Sequence, residues 1–223
     1  MSKQVPNMRV LITGGSGVLG RATIPLLPSS GHDVLAPRSD ECDLFDADAI
    51  RRAVSGVDAV MHLATRIPPP KLRAAPDAWA ENDRLRAEAS RLLVDAALAS
   101  GVQVYVQPTV SFIYPGTDPV DESTRVQAVP KHLESALVAE AQAMRFAAAG
   151  RRGVVLRLGA LYGPTTGAVE PRPGYDAHLH VDDAGAALLA ALSAPSGVYN
   201  AVRDFQRVSN ARFKQATGWH PRF

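Results

Sequence analysis

The chain has 223 residues, 46% of them hydrophobic, which is enough to bury a sizeable core within the length that one α/β domain commonly reaches. Lysine plus arginine (24) barely exceed aspartate plus glutamate (22) and are spread along the chain, so no electrostatic footprint for nucleic acid is present. The lone Cys42 excludes an internal disulfide, the six histidines lack metal-ligand spacing, and no run approaches the ~18 apolar residues of a bilayer span. The first eight residues are too short and polar for a secretory signal, so the cytoplasm is the expected compartment and no membrane partner is expected.

In chain order, an apolar run at 9–13 predicts a first strand, and Thr13-Gly14-Gly15-Ser16-Gly17-Val18-Leu19-Gly20 carries it into a helix at 17–27. In that context Gly14 allows the turn, Gly17 lets backbone approach a pyrophosphate, and Gly20 permits close helix packing. Ser16, Val18 and Leu19 complete the expected phosphate contacts, with free amides at the helix N-terminus.

A second strand at 33–36 runs into Pro37-Arg38-Ser39, where an acidic residue would favour NAD and an arginine favours the 2′-phosphate of NADP. Arg38 therefore points to NADP, while the nearby Asp40 and Glu41 keep NAD open. A helix at 46–55, a strand at 59–63 and a helix at 77–100 follow. In the last, Leu85, Ala89, Leu92, Ala96 and Ala99 recur three or four apart and predict the face that packs on the sheet, with Arg84, Glu88, Arg91 and Asp95 elsewhere. The pattern continues with a strand at 102–106, a helix at 131–149, a strand at 154–158, a helix at 182–192 and a weak strand at 198–201. Alternation of this kind predicts one doubly wound α/β domain over 1–223 around a parallel sheet. Proline and glycine gather at 67–76, 115–119 and 163–174, each after a strand, which makes these loops candidate walls of the ligand crevice.

With Thr13-Gly14-x-x-Gly17-x-x-Gly20 in place, further landmarks resemble the extended short-chain dehydrogenase/reductase family, the NAD(P)-dependent epimerases and dehydratases. They are Asp43-Leu44, Ala59-Val60-Met61-His62-Leu63-Ala64, Val104-Tyr105-Val106-Gln107-Pro108-Thr109 leading to Tyr114-Pro115, Arg157-x-Gly159-x-x-Tyr162-Gly163-Pro164 and His180-Val181-Asp182-Asp183. The resemblance implies a Rossmann fold with NADP, or NAD, across the strand ends. Asp43 and Leu44 would contact adenine, Leu63, Ala64 and Thr65 would line the cofactor, and Gln107 would lie near the nicotinamide. It also implies oxidoreductase or epimerase chemistry on a small carbonyl or hydroxyl substrate.

One departure bears directly on function. Aligning Ser135 and Ala139-Glu140 with the family's Ser-Lys-x-x-Ala-Glu puts His132 where the catalytic tyrosine stands and Ala136 where the lysine stands. Candidate proton-handling groups are then Thr109, Tyr114, Tyr162 and His132, the last because an imidazole exchanges protons near neutral pH. A non-catalytic NADP(H) sensor and a non-redox cyclase or isomerase are the alternatives. The family's substrate-binding region is reduced to parts of about 160–223 here, so the substrate cover is small, supplied by a partner subunit, or absent. By analogy with relatives, a homodimer through 77–100 and 131–149 stays open.

Overall fold

The computed structural model describes residues 7–75, 77–127 and 129–223. In chain order the elements are β1 (Arg9–Thr13), α1 (Val18–Thr23), α2 (Leu26–Ser29), β2 (Asp33–Leu35), α3 (Ala47–Val54), β3 (Ala59–His62) and α4 (Ala80–Arg84). A π-turn (Leu85–Ala89) leads directly into α5 (Ser90–Ala99). Then come β4 (Val104–Val110), α6 (Lys131–Ala148), β5 (Arg152–Leu158), β6 (Ala160–Tyr162), β7 (His178–His180), α7 (Val181–Ala191), β8 (Gly197–Ala201) and α8 (Ala211–Thr217).

Six parallel strands form one sheet in the order β2-β1-β3-β4-β5-β8, while β6 and β7 pair as a separate parallel ribbon. This is the expected doubly wound α/β architecture. The strands read as unbroken apolar runs because both faces are covered. In β1, Val10 and Ile12 enter one core with α7 and α8, whereas Leu11 enters the opposite core with Ile50, Leu93 and Phe146. Within 160–223, β8 pairs with β5 and α8 packs on β8, so much of this stretch completes the main sheet.

Three expectations need correction. The helix at 17–27 is two pieces, because Pro25 has no amide hydrogen to continue the first. The strand at 102–106 instead starts at Val104 and runs on to Val110, carrying Pro108 in register with Leu156. The buried face of the helix at 77–100 is also rotated. Ala89 and Ala96 are buried as expected, but Leu85 and Leu92 are only half-buried and Ala99 is exposed, while Asn82, Arg86, Ser90, Leu93, Val94 and Ala97 point inward. The π-turn adds backbone to one turn and shifts the phase that a 3.6-residue period assumes.

The glycine-loop helix α1 depends on a close approach to α7. A Cβ on Gly185 would lie 2.5 Å from the Ala22 carbonyl oxygen and 2.8 Å from its carbon. Gly185→Ala is expected to force the two helices apart and lower unfolding free energy by about 1–3 kcal/mol, read from the urea midpoint at unchanged m.

Candidate dinucleotide and substrate site

The strand order reverses between β1 and β3, the point at which doubly wound sheets open their ligand crevice, so the loops after these two strands flank the candidate site. Gly14 has φ +74°, and a Cβ there would stand 2.6 Å from Ala64 Cα and N. The sequence-predicted residues Gly14, Leu63 and Ala64 are thus pressed together. The Gly17 amide donates to the Gly14 carbonyl at 2.9 Å, and a Cβ on Gly17 would meet only that oxygen, at 3.1 Å. Ser16 and Gly17 are exposed, Val18 and Leu19 half-buried, and α1 begins with no side-chain cap. Free amides on an open glycine backbone fit a pyrophosphate. Arg21 lies over the loop and donates to the Ser16 carbonyl.

At the end of β2, Arg38 is 79% exposed and faces Asp40 at 3.4 Å. Its backbone amide donates to Glu41 at 2.8 Å. An exposed pair of this kind contributes little and leaves the guanidinium free for another anion. Asp43 accepts the Phe45 amide at 2.9 Å and Leu44 packs against the core beneath α3. Thr65 is exposed on the loop after β3. Gln107 is buried, accepting the Tyr105 hydroxyl at 3.1 Å and donating to the Pro108 carbonyl at 3.2 Å.

His62 links the glycine loop to the π-turn. Its Nε2 lies 2.9 Å from the Leu85 carbonyl and its Nδ1 2.7 Å from Thr13 Oγ1. A carbonyl can only accept, so Nε2 carries the proton and Thr13 donates to Nδ1. Burial lowers the His62 pKa to about 4, opposed by the Leu85 contact. The neutral ring thereby fixes the end of β1, the end of β3 and the helix before α5 relative to one another.

Thr109 and Tyr114 meet in one buried network. Arg157 forms a two-pronged pair with Glu140, at 2.9 and 2.7 Å, and donates to the Tyr114 hydroxyl at 2.8 Å. Thr109 donates to Glu140 at 2.8 Å, and Tyr114 donates to Asn200 Oδ1 at 2.9 Å. Burial alone would lower the Arg157 pKa, but Glu140 and Tyr114 raise it above the ordinary arginine value. Burial pushes Tyr114 up, against the pull of Arg157. Both hydroxyl protons are therefore already directed at partners within the fold.

The other two candidates lie apart from that network. His132, half-buried on α6, packs against Trp79 with ring centroids 5.0 Å apart. Tyr162 is buried edge-on against His180 at 5.2 Å, and burial raises its pKa. Sequence reading missed Trp79, Asn82 and Arg86. Their only signal was three or four residues of spacing, hidden among surface charges by the assumed helix phase.

The neutral His62 makes stability depend on pH. Its folded pKa of about 4 lies below the ordinary 6.5, so the unfolded chain takes up the proton first. Stability is then lost as pH falls from the unfolded value toward the folded one. Urea titrations should show a loss of about 2 kcal/mol between pH 7.5 and pH 5 that is absent in His62→Asn.

A family model described as the NAD dependent epimerase/dehydratase family matches residues 10–174. A 3-diazoavenalumate denitrifying reductase from a Streptomyces species is 33% identical, over 88% of this chain and 76% of that protein. The structure of RMD from Pseudomonas aeruginosa complexed with NADPH superimposes with a TM-score of 0.80 at 20% identity, covering 96% of this chain and 94% of that one. The UDP-Glc/GlcNAc 4-epimerase from Campylobacter jejuni gives a TM-score of 0.79 at 17% identity, over 96% and 94%. At such identities the two structures speak for the fold alone. No helix among the described residues is long and apolar enough to cross a membrane. The matched model and the Streptomyces relative place the chain in the NAD-dependent epimerase/dehydratase family, with a nicotinamide dinucleotide as its cofactor.

Proposed function

We propose that the protein is an NADPH-dependent reductase that passes hydride to a small organic acceptor without a tyrosine–lysine proton relay. The observation that carries this reading is the occupancy of the relay positions: Ala136 is fully buried, and His132 is packed on Trp79. The bound nicotinamide would supply the hydride. Residues 14–19 hold its pyrophosphate, Arg38 meets the 2′-phosphate, and Leu63, Ala64, Thr65 and Gln107 border the rest.

In this reading Thr109 and Tyr114 are positioning residues. Their hydroxyls keep the end of β4 in place through Glu140, Arg157 and Asn200. Trp79 and His132 wall the acceptor, with Tyr162 further along the crevice. Carbonyl reduction requires a proton on the nascent alkoxide, whereas replacement of a diazonium group by hydride needs none. There R–N₂⁺ and H⁻ give R–H and N₂, so the electrons balance with dinitrogen as the leaving group. The name of the Streptomyces relative describes chemistry of this class, and we assign the acceptor to it.

NADPH titration should give binding that Arg38→Ala weakens at least tenfold while NADH affinity is unchanged. With NADPH bound, a stable diazoquinone should be consumed with dinitrogen release, and His132→Gln should leave that rate within about threefold, since one general acid–base group is ordinarily worth ~10²–10⁴. Oxidation of NADPH by an aryl aldehyde but not by the diazoquinone would sink the diazo assignment. NADPH binding with no turnover of either would leave a nucleotide-binding protein.

A further inference from the structure

Arg86 lies in the π-turn with its side chain turned inward, 7% exposed, and its Nη1 has no hydrogen-bond partner. Among the described residues no carboxylate lies within ion-pair distance of it. One turn earlier Asn82 is fully buried; its Oδ1 accepts the Arg66 amide at 3.1 Å, while Nδ2 is unpartnered. The neighbouring acid, Asp83, is tied to Ser135 on α6 at 2.6 Å. Burial lowers the Arg86 pKa and Asp83 only partly opposes this. A buried cation without a counter-charge is costly, and the cost is recovered when an anion arrives.

Helical side chains lean toward the helix N-terminus, so the Arg86 guanidinium reaches back to the level of Asp83 and Ser135. Trp79, one turn before Asn82, stands with His132 at the same end. Guanidinium and amide NH₂ groups are donors only, so their complement is an acceptor-only, negatively charged group of forked shape.

We infer that Arg86 and Asn82 form a receptor for a carboxylate, and that the molecule reduced at this site is a small aryl carboxylic acid. The identity of the reduced molecule rests on the reductase reading; the carboxylate receptor stands on its own geometry. The dinucleotide phosphates are provided for at the glycine loop, so the receptor is expected to remain open when cofactor is bound.

The test is calorimetric titration of the full chain with benzoate and with benzamide, its neutral isostere, with and without saturating NADPH. Benzoate should bind at least tenfold tighter than benzamide in both conditions. Arg86→Met should lose at least tenfold in benzoate affinity while NADPH affinity is unchanged, and Arg86→Lys should retain part of it. Equal binding of the two probes by the wild-type chain overturns the inference, and this comparison decides it even if Arg86→Met does not fold. Benzoate affinity unaffected by Arg86→Met overturns it as well, as does loss of benzoate binding on NADPH saturation. Benzoate binding in a chain that binds no NADPH would remove the reductase reading and leave the carboxylate receptor standing.

Discussion

The buried pair of Arg157 and Glu140 is the interaction on which the upper half of the sheet depends. Both side chains are 8% exposed, and together with Thr109, Tyr114 and Asn200 they join β4, β5, α6 and β8 at the ends where a ligand would approach. Two charges removed from water at this depth are tolerated because nearly every donor and acceptor is used: the guanidinium in three hydrogen bonds, the carboxylate in three. Such a network favours one arrangement of the strand ends over its near alternatives. A rigid floor of this kind suits hydride transfer, where small displacements of the reacting atoms are costly.

In the same floor the hydroxyl protons of Thr109 and Tyr114 are directed at Glu140 and Asn200. A threonine and a tyrosine at the carboxyl end of a central strand have the chemistry of a proton relay. With a carboxylate and a carboxamide accepting their protons, the same two groups can also serve as a scaffold. Their positions alone cannot separate the two roles, because the partners come from helices and strands 31 and 86 residues away.

This separation marks the boundary of what the sequence makes legible. The strands could be read directly, since a parallel strand covered on both faces is a continuous apolar run, as in β1 and β3. The glycine loop could be read because turn, backbone approach and helix packing each demand glycine at a fixed offset. The short β6 and β7 strands, three residues each, carried too little pattern, and α8 was hidden behind a polar tail. Arg86 looked like one more charge on a solvated helix between Arg84 and Glu88. Only the widened turn reveals that it faces inward.

The widened turn has a further consequence for how this helix can change over time. A π-turn holds one more residue in about the same sweep of the helix, so loss of one residue from 85–89 would restore an ordinary α-turn and leave the phase of α5 nearly unchanged. Leu93, Val94 and Ala97 would stay on the core, and the change would fall on the turn whose Leu85 carbonyl meets His62. The extra residue is therefore tied to the contact with His62 rather than to the packing of α5. A chain without the extra residue would have to hold the end of β3 by some other contact.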